Sequence, residues 1–449
     1  MAKPLDTSLW SRSRQVLSLA AGVAGQELKL GLKAKLTRSL DRLAESEVAT
    51  RVAQARMVAE SLGRLKGAFM KGGQLLSIDA GDLLPPEARE ILSKLQGQAD
   101  PIPFEVLRAV LVEELGAEGL LQLEGLEEQA AAAASIGQVH RARLRGEPVA
   151  VKIQYPGIAE SIDSDLALLS KLAQGWLTLS RRNVDLRGTF EELGSLLHLE
   201  ADYVREREHL ERYGELLRGD ARFVVPRAHA ELSGKRVLTM SWEEGQPLGA
   251  WLSTSPSQER REALSLALFD LYCREFFEWG LVQTDPNFGN FLVREDGGDL
   301  RIVLLDFGAT LAYDEAFRRD YVALLNVVAG GDDEALIRAG VESKLLDPRE
   351  SAETRGIFVE MMRLSVEPFL GTGAPFAFAD EAYAARSREV VTRFLQALRF
   401  TPPPRQLLFL HRKLGGLFQL GRRLELELDL RPMWERMIAW RSPSASPEA

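Results

Sequence analysis

A single cysteine, Cys273, stands among 449 residues, which excludes an internal disulfide and with it the stapled folds of small secreted proteins. Histidine is nearly as scarce. The five at 140, 198, 209, 229 and 411 show none of the short repeated spacings that build a zinc site. No uninterrupted apolar run approaches the roughly 20 residues needed to span a bilayer. Val16 to Gly25 is too short, and it lacks the small-residue cleavage site of a signal peptide, so the chain reads as not secreted. A basic excess is also missing: Lys+Arg 56 against Asp+Glu 65 gives a net charge of −9, which argues against nucleic acid as a partner. What is present is 45 % hydrophobic content, enough to bury the cores of two or three domains.

The pattern along the chain divides it into five stretches. Residues 1–45 read as helix. Up to Arg38 this stretch holds seven basic residues against Asp6 and Glu27, with Trp10, Val16, Leu17 and Val23 nearby, a composition suited to peripheral contact with an anionic membrane. Leu28, Leu32 and Leu36 form an i+4 stripe that asks for a partner surface, either the rest of the protein or a second copy. Residues 46–115 form a helical extension that carries Lys71-Gly72-Gly73-Gln74 and ends in a short helix from Phe104 to Leu115. Residues 116–242 make a small sheet-bearing lobe. In it Val149, Val151 and Ile153 alternate with Ala150, Lys152 and Gln154 after an Arg145-Gly146-Glu147 turn, and from Ile158 to about Leu217 the chain reads as helical and heavily charged. Residues 243–440 are mostly helix, interrupted by strand-like Phe291–Arg294 and Ile302–Leu305. The tail 441–449, rich in Ser and Pro, is expected to be disordered. The fold class is α+β.

The chemistry-bearing residues cluster in the last two large stretches. Asp285 and Asn290 form an Asp-x4-Asn, and Asp306-Phe307-Gly308 follows after an apolar strand. In phosphoryl transfer one Asp positions or deprotonates the nucleophile, while an Asn and a second Asp hold the magnesium that neutralises the phosphates. Taken alone, Asp306-Phe307-Gly308 is a strand-ending turn with a capping Asp; in order with Asp285 and Asn290 it acquires a function. Lys152 supplies a cation for the phosphates, on the same strand face as the small Ala150, and is expected to look into a solvent-filled cleft. Its ion-pair partner should lie on a following helix, among Asp163, Asp165, Glu200, Asp202 and Glu206. At 100° per residue Asp202 and Glu206 share a helical face, whereas Glu200 lies well around it. Ala130 to Ala134, then Ser135-Ile136-Gly137-Gln138, stand where a Gly-rich phosphate loop is expected. Polyalanine by itself favours a helical turn.

Together, Lys71-Gly72-Gly73-Gln74, the Ala132 to Gln138 run, the Lys152 strand, Glu200-Ala201-Asp202, Asp285 to Asn290 and Asp306-Phe307-Gly308 resemble the UbiB (AarF) family of atypical, protein-kinase-like proteins. The wording Gln283-Thr284-Asp285-Pro286-Asn287 looks closer to its mitochondrial coenzyme Q branch. The resemblance implies a two-lobed protein-kinase-like fold with an N-terminal helical extension, and ATP and Mg²⁺ as cofactors. It implies that Lys152 pairs with Glu206 and that Asp285 is the catalytic-loop aspartate, with Asn290 and Asp306 on the metal. By the same resemblance Ala132, Ala133, Ala134, Ser135, Lys152 and Glu243 would make up the nucleotide-contacting set, and Lys71 and Gln74 would act as a regulatory lid facing Glu200 and Asp202. It further implies an ATPase or atypical kinase that supports isoprenoid quinone (ubiquinone) biosynthesis or membrane lipid homeostasis. Its partners would be a lipid or quinone-precursor small molecule and a homo-oligomer or biosynthetic complex. Its setting would be a bacterial cytoplasmic membrane face or a mitochondrion. The alternative is a nucleotide-gated scaffold with little turnover. Gly72 replaces the larger apolar residue usual after the lysine. There is also no C-terminal hydrophobic helix pair, so no integral membrane anchor is expected. Between Gly308 and Asp314 there is almost no room for an activation segment, and no Ala-Pro-Glu follows, which disfavours protein substrates.

Overall fold

The computed structural model describes residues 103–134, 136–164, 166–167, 170, 187–371, 375–397 and 405–440. Lys71, Gln74, Ser135 and Asp165, the stretches 1–45 and 46–102, and the tail from 441 lie outside the described residues. The chain separates into two units. One comprises the described residues up to Glu211 together with Arg227–Trp242. The other comprises Arg212–Pro226 and the described residues from Glu243 on.

The first unit begins with α1 (Phe104–Gln122), whose unbroken first part matches the short helix expected from Phe104 to Leu115. At Gly116 the backbone leaves helical geometry (φ 68°, ψ 176°) and one further turn follows, a conformation open to glycine at little cost. Leu107, Val110 and Leu111 of α1 bury against a four-stranded antiparallel sheet of order β1 (Ala132–Ala133), β2 (Gly137–Leu144), β3 (Glu147–Gln154) and β4 (Val237–Ser241). Arg145 and Gly146, both at positive φ, form the two-residue turn between β2 and β3, so Leu144 pairs with Glu147 and Val139 with Lys152. β3 lies between β2 and β4, and every residue from Val149 to Gln154 is buried. The alternation seen in the sequence therefore separates an apolar face from a paired polar one, and neither face is wet.

The C-terminal part of the stretch expected to be helical from Ile158 to about Leu217 holds two helices, α2 (Arg187–Ala201) and α3 (Tyr203–Leu216), separated at Asp202, through which the sequence reads as one helix. The cause is local: the Asp202 carboxylate accepts the Arg205 N–H at 3.0 Å and caps α3, which competes with continuing the helix through it.

In the second unit, α4 (Gln258–Cys273) runs into a π-helical turn, Arg274–Trp279, closed by Gly280 in the left-handed region (φ 63°). Next come β5 (Leu281–Gln283), β6 (Phe291–Asp296), β7 (Asp299–Leu304) and β8 (Thr310–Ala312). β6 and β7 form a hairpin, while β5 pairs antiparallel with β8. β5 and β8 are three residues each, too short for their periodicity to stand out; with them and the paired two-residue strands Phe376–Ala377 and Glu427–Leu428, the two strand segments expected become six among the described residues from Leu281 on. Asp314 caps α5 (Glu315–Gly330), leaving only a few residues after Gly308 before the helix begins. The helices α6 (Asp333–Glu342), α7 (Ala352–Leu370), α8 (Glu381–Ala397), α9 (Arg405–Arg423) and α10 (Arg431–Ala439) complete the unit. Among the described residues no helix is long and apolar enough to cross a membrane.

Candidate functional site

In the first unit the polar face of β3 is organised around one lysine. Lys152 Nζ donates to both carboxylate oxygens of Glu206, at 2.6 and 2.9 Å, and sits 4.9 Å from the centroid of the Tyr203 ring. Both partners are buried, with Lys152 7 % and Glu206 1 % exposed, so the lysine does not look into an open solvent-filled cleft. The break at Asp202 starts α3 at the point that brings Tyr203 and Glu206 to this lysine. Of the acids left open by sequence, Glu206 is thus the one on Lys152; Asp163 instead receives His198 at 2.8 Å. Glu200 is buried near the end of α2, and one oxygen of Asp202 caps α3.

The alanine run is not a helical turn. Ala132 and Ala133 pair with Val139 and Gln138, and Ala134 N–H reaches Gly137 O at 2.9 Å, so the run folds as a tight strand-turn-strand leading to Lys152. Pairing to β2 overrides alanine's helix preference. Gly137 is required at the turn's base, because a Cβ there would stand 2.4 Å from Ile153 O and 2.8 Å from Tyr203 Oη.

In the second unit β5 delivers Gln283-Thr284-Asp285. Thr284 is fixed through both its N–H and its hydroxyl to Ala309 O, at 3.1 and 2.7 Å. Asp285 is 4 % exposed; its Oδ2 accepts Asn290 Nδ2 at 3.1 Å, and Arg412 Nη2 lies 3.5 Å from its Oδ1. Asn287 caps the short turn that carries Asn290, through Gly289 N–H at 2.9 Å. Asn290 O in turn accepts Leu305 N–H at 3.0 Å, which ties Asn290 to the residue preceding Asp306. Asp306 Oδ1 accepts Gly308 N–H at 2.9 Å, and Phe307 packs on Tyr213 with ring centroids 4.8 Å apart. With its amide nitrogen directed at Asp285, Asn290 has a carbonyl oxygen to offer a cation. That oxygen and the Asp306 carboxylate are the hard donors Mg²⁺ takes, so the residues fit the metal. Glu243 receives Arg294 Nη2 at 3.0 Å.

Sequence reading missed four residues here. Lys413, 4 % exposed, lies 3.4 Å from Glu275 Oε2 and 3.3 Å from Gln283 Oε1, and Tyr213 Oη donates to Glu275 Oε1 at 2.8 Å. Arg412 precedes Lys413 on the same helix. The available signal was His411-Arg412-Lys413 set inside an apolar helical stretch.

A family model described as the ABC1 atypical kinase-like domain matches residues 94–339. Among similar proteins, atypical kinase COQ8B, mitochondrial, of Rattus norvegicus is 35 % identical, covering 95 % of this chain and 81 % of that protein. Atypical kinase COQ8, mitochondrial, of Schizosaccharomyces pombe is 33 % identical, with coverage of 96 % and 69 %. Atypical kinase COQ8B, mitochondrial, of Danio rerio is 34 % identical over 85 % of this chain, and the match spans 60 % of that relative's length. A solved structure, the complex of Rv3197 and erythromycin from Mycobacterium tuberculosis, superposes with a TM-score of 0.58 at 27 % identity, covering 84 % of this chain and 93 % of the other.

Proposed function

The chain belongs to the ABC1 atypical kinase-like family, and from that premise we propose that it binds ATP with Mg²⁺ and catalyses phosphoryl transfer. The observation that carries this reading is the buried Lys152–Glu206 pair: a lysine held at 2.6 Å by an acid from a following helix is the device that presents a cation to nucleotide phosphates. Lys152 would hold the phosphates, with Ala132, Ala133, Ala134 and Ser135 covering them and Glu243 contributing to nucleotide contact. Asp285 would orient or deprotonate the attacking hydroxyl or water, its carboxylate kept in place by Asn290 and Arg412. Asn290 and Asp306 would hold Mg²⁺, which when bound neutralises charge on the phosphates.

The acceptor is a small molecule or water rather than a protein. The short Gly308–Asp314 connection supports this, because it offers no platform for a peptide. Lys71 and Gln74, acting with Glu200 and Asp202, would be the lid. The biological setting is isoprenoid quinone biosynthesis or membrane lipid homeostasis, at a mitochondrial or bacterial cytoplasmic membrane, with the basic N-terminal stretch as the peripheral contact. The scaffold alternative, with ATP as a conformational ligand, requires no intact chemistry, whereas Lys152, Asp285, Asn290 and Asp306 are all present.

The test is ATP hydrolysis by the purified chain, with and without anionic vesicles and quinone-precursor phenols. Turnover stimulated by either supports the reading. Tight ATP binding with no turnover under any condition favours the scaffold.

A further inference from the structure

One helix grips the loop that carries Asp285. Consecutive helical residues point about 100° apart, so Arg412 and Lys413 of α9 reach different parts of the same run: Arg412 comes to Asp285 at 3.5 Å, Lys413 to Gln283 Oε1 at 3.3 Å. Gly416, one turn on, lets the helix approach closely, since a Cβ there would stand 2.1 Å from Pro286 Cβ. Lys413 also faces Glu275, whose Oε2 is 3.4 Å away. Glu275 is 0 % exposed and sits in the π-helical turn Arg274–Trp279, an irregularity often kept where a side chain must be re-aimed. Burial pushes the Glu275 carboxyl above its ordinary range, and the Lys413 ammonium opposes that shift. Tyr213 Oη donates to Glu275 Oε1 at 2.8 Å and accepts the Gln283 N–H at 2.9 Å. Two polar routes therefore converge on Gln283, two residues before Asp285: Lys413 takes its side chain, and Glu275 takes its backbone through Tyr213.

A buried ion pair is a poor source of net stability, because desolvation offsets the attraction and an apolar pair packs as well. Its placement against the loop gives it a different use. We infer that Lys413 is a positioning residue for phosphoryl transfer, fixing Gln283 and through it the backbone from which Asp285 projects. The inference rests on the reading of Asp285 as the catalytic-loop aspartate.

Lys413→Met alone leaves Glu275 buried and uncompensated, so the informative variant is the double Glu275→Gln/Lys413→Met, which removes both charges and keeps similar volumes. Steady-state ATP hydrolysis is measured together with hydrogen exchange of the peptide covering residues 281–291. The double variant is expected to fold, to lose at least tenfold in kcat with the KM for ATP within twofold of the parent, and to exchange at least tenfold faster in that peptide alone. Lys413→Arg alone, which keeps the charge opposite Glu275, is expected to retain both. Wild-type kcat and unchanged protection of residues 281–291 in the double variant would overturn the inference. Asp285→Asn separates the two readings: it should abolish turnover while retaining full protection. Full turnover in Asp285→Asn would sink the assignment of Asp285, and the exchange of residues 281–291 would still decide whether Lys413 holds the loop.

Discussion

Lys152 and Glu206 stand 54 residues apart in the chain and meet at 2.6 Å in a place where neither sees much water. The pair is therefore costly to break from one side. Lys152→Ala should destabilise the protein by about 3–5 kcal/mol, since it strands a carboxylate that is 1 % exposed. Lys152→Met combined with Glu206→Leu should recover most of that loss without recovering ATP binding. Urea unfolding and nucleotide titration of both variants check this. A fully stable Lys152→Ala would mean that the lysine is not held as described.

Asp202 has two candidate duties, capping α3 and facing the Lys71 motif, and substitutions separate them. Asp202→Ala should cost about 1 kcal/mol in chemical denaturation through loss of the cap, while Asp202→Asn keeps the cap. If Asp202→Asn preserves stability yet alters nucleotide selectivity, the charge serves the lid. Equal loss of stability in both variants would contradict the cap.

Gly416→Ala tests the tight seat of α9 on the Asp285 loop. Overpacking against Pro286 should cost about 1–3 kcal/mol, partly offset by the roughly 1 kcal/mol that alanine adds to a helix interior. Activity should fall more than thermal stability does. A more stable and fully active variant would show that Pro286 yields freely.

Acid stability should depend on Asp220. Hydrogen bonding from Arg222 holds its carboxyl down at about 2, with Arg274 also in contact at 2.7 Å. A folded-state value below the unfolded one means that the contribution is present above about pH 4 and is lost as pH falls toward 2. Because the Arg222 side chain is 46 % exposed, solvent screening reduces the contribution to about 1 kcal/mol. Unfolding curves of Asp220→Asn and the parent should therefore converge near pH 2 and diverge at pH 5. A constant difference across that range would contradict the linkage.

Peripheral membrane contact through the basic N-terminal stretch should require anionic lipid, weaken with salt, and vanish when residues before Gly25 are removed. Vesicle co-sedimentation reads this directly. Equal binding by the truncated and intact chains would assign the contact elsewhere.

Local signals were readable from sequence and long-range ones were not. The Lys152 hairpin announces itself by alternation and by Arg145-Gly146, and the Asp285, Asn290 and Asp306 set by spacing around a short apolar strand. Where a local propensity competes with a tertiary demand, the reading goes astray. Alanines 132 and 133 become strand because β2 offers them partners, and Asp202 ends a helix because its carboxylate reaches the Arg205 N–H. Lys152 is polar by type and buried in fact, a difference created only when α3 brings Glu206 to it. The Lys413–Gln283 contact joins residues 130 apart, and nothing in the local pattern of either element pairs them.

The central claim, that Asp306 with Asn290 holds Mg²⁺ on ATP, is tested most directly by the thermal shift that Mg-ATP produces in the intact protein and in Asp306→Asn. The account predicts a rise in Tm of several degrees for the parent, dependent on Mg²⁺, and its loss in Asp306→Asn with the ligand-free Tm little changed. Equal stabilisation of both proteins by Mg-ATP would contradict it.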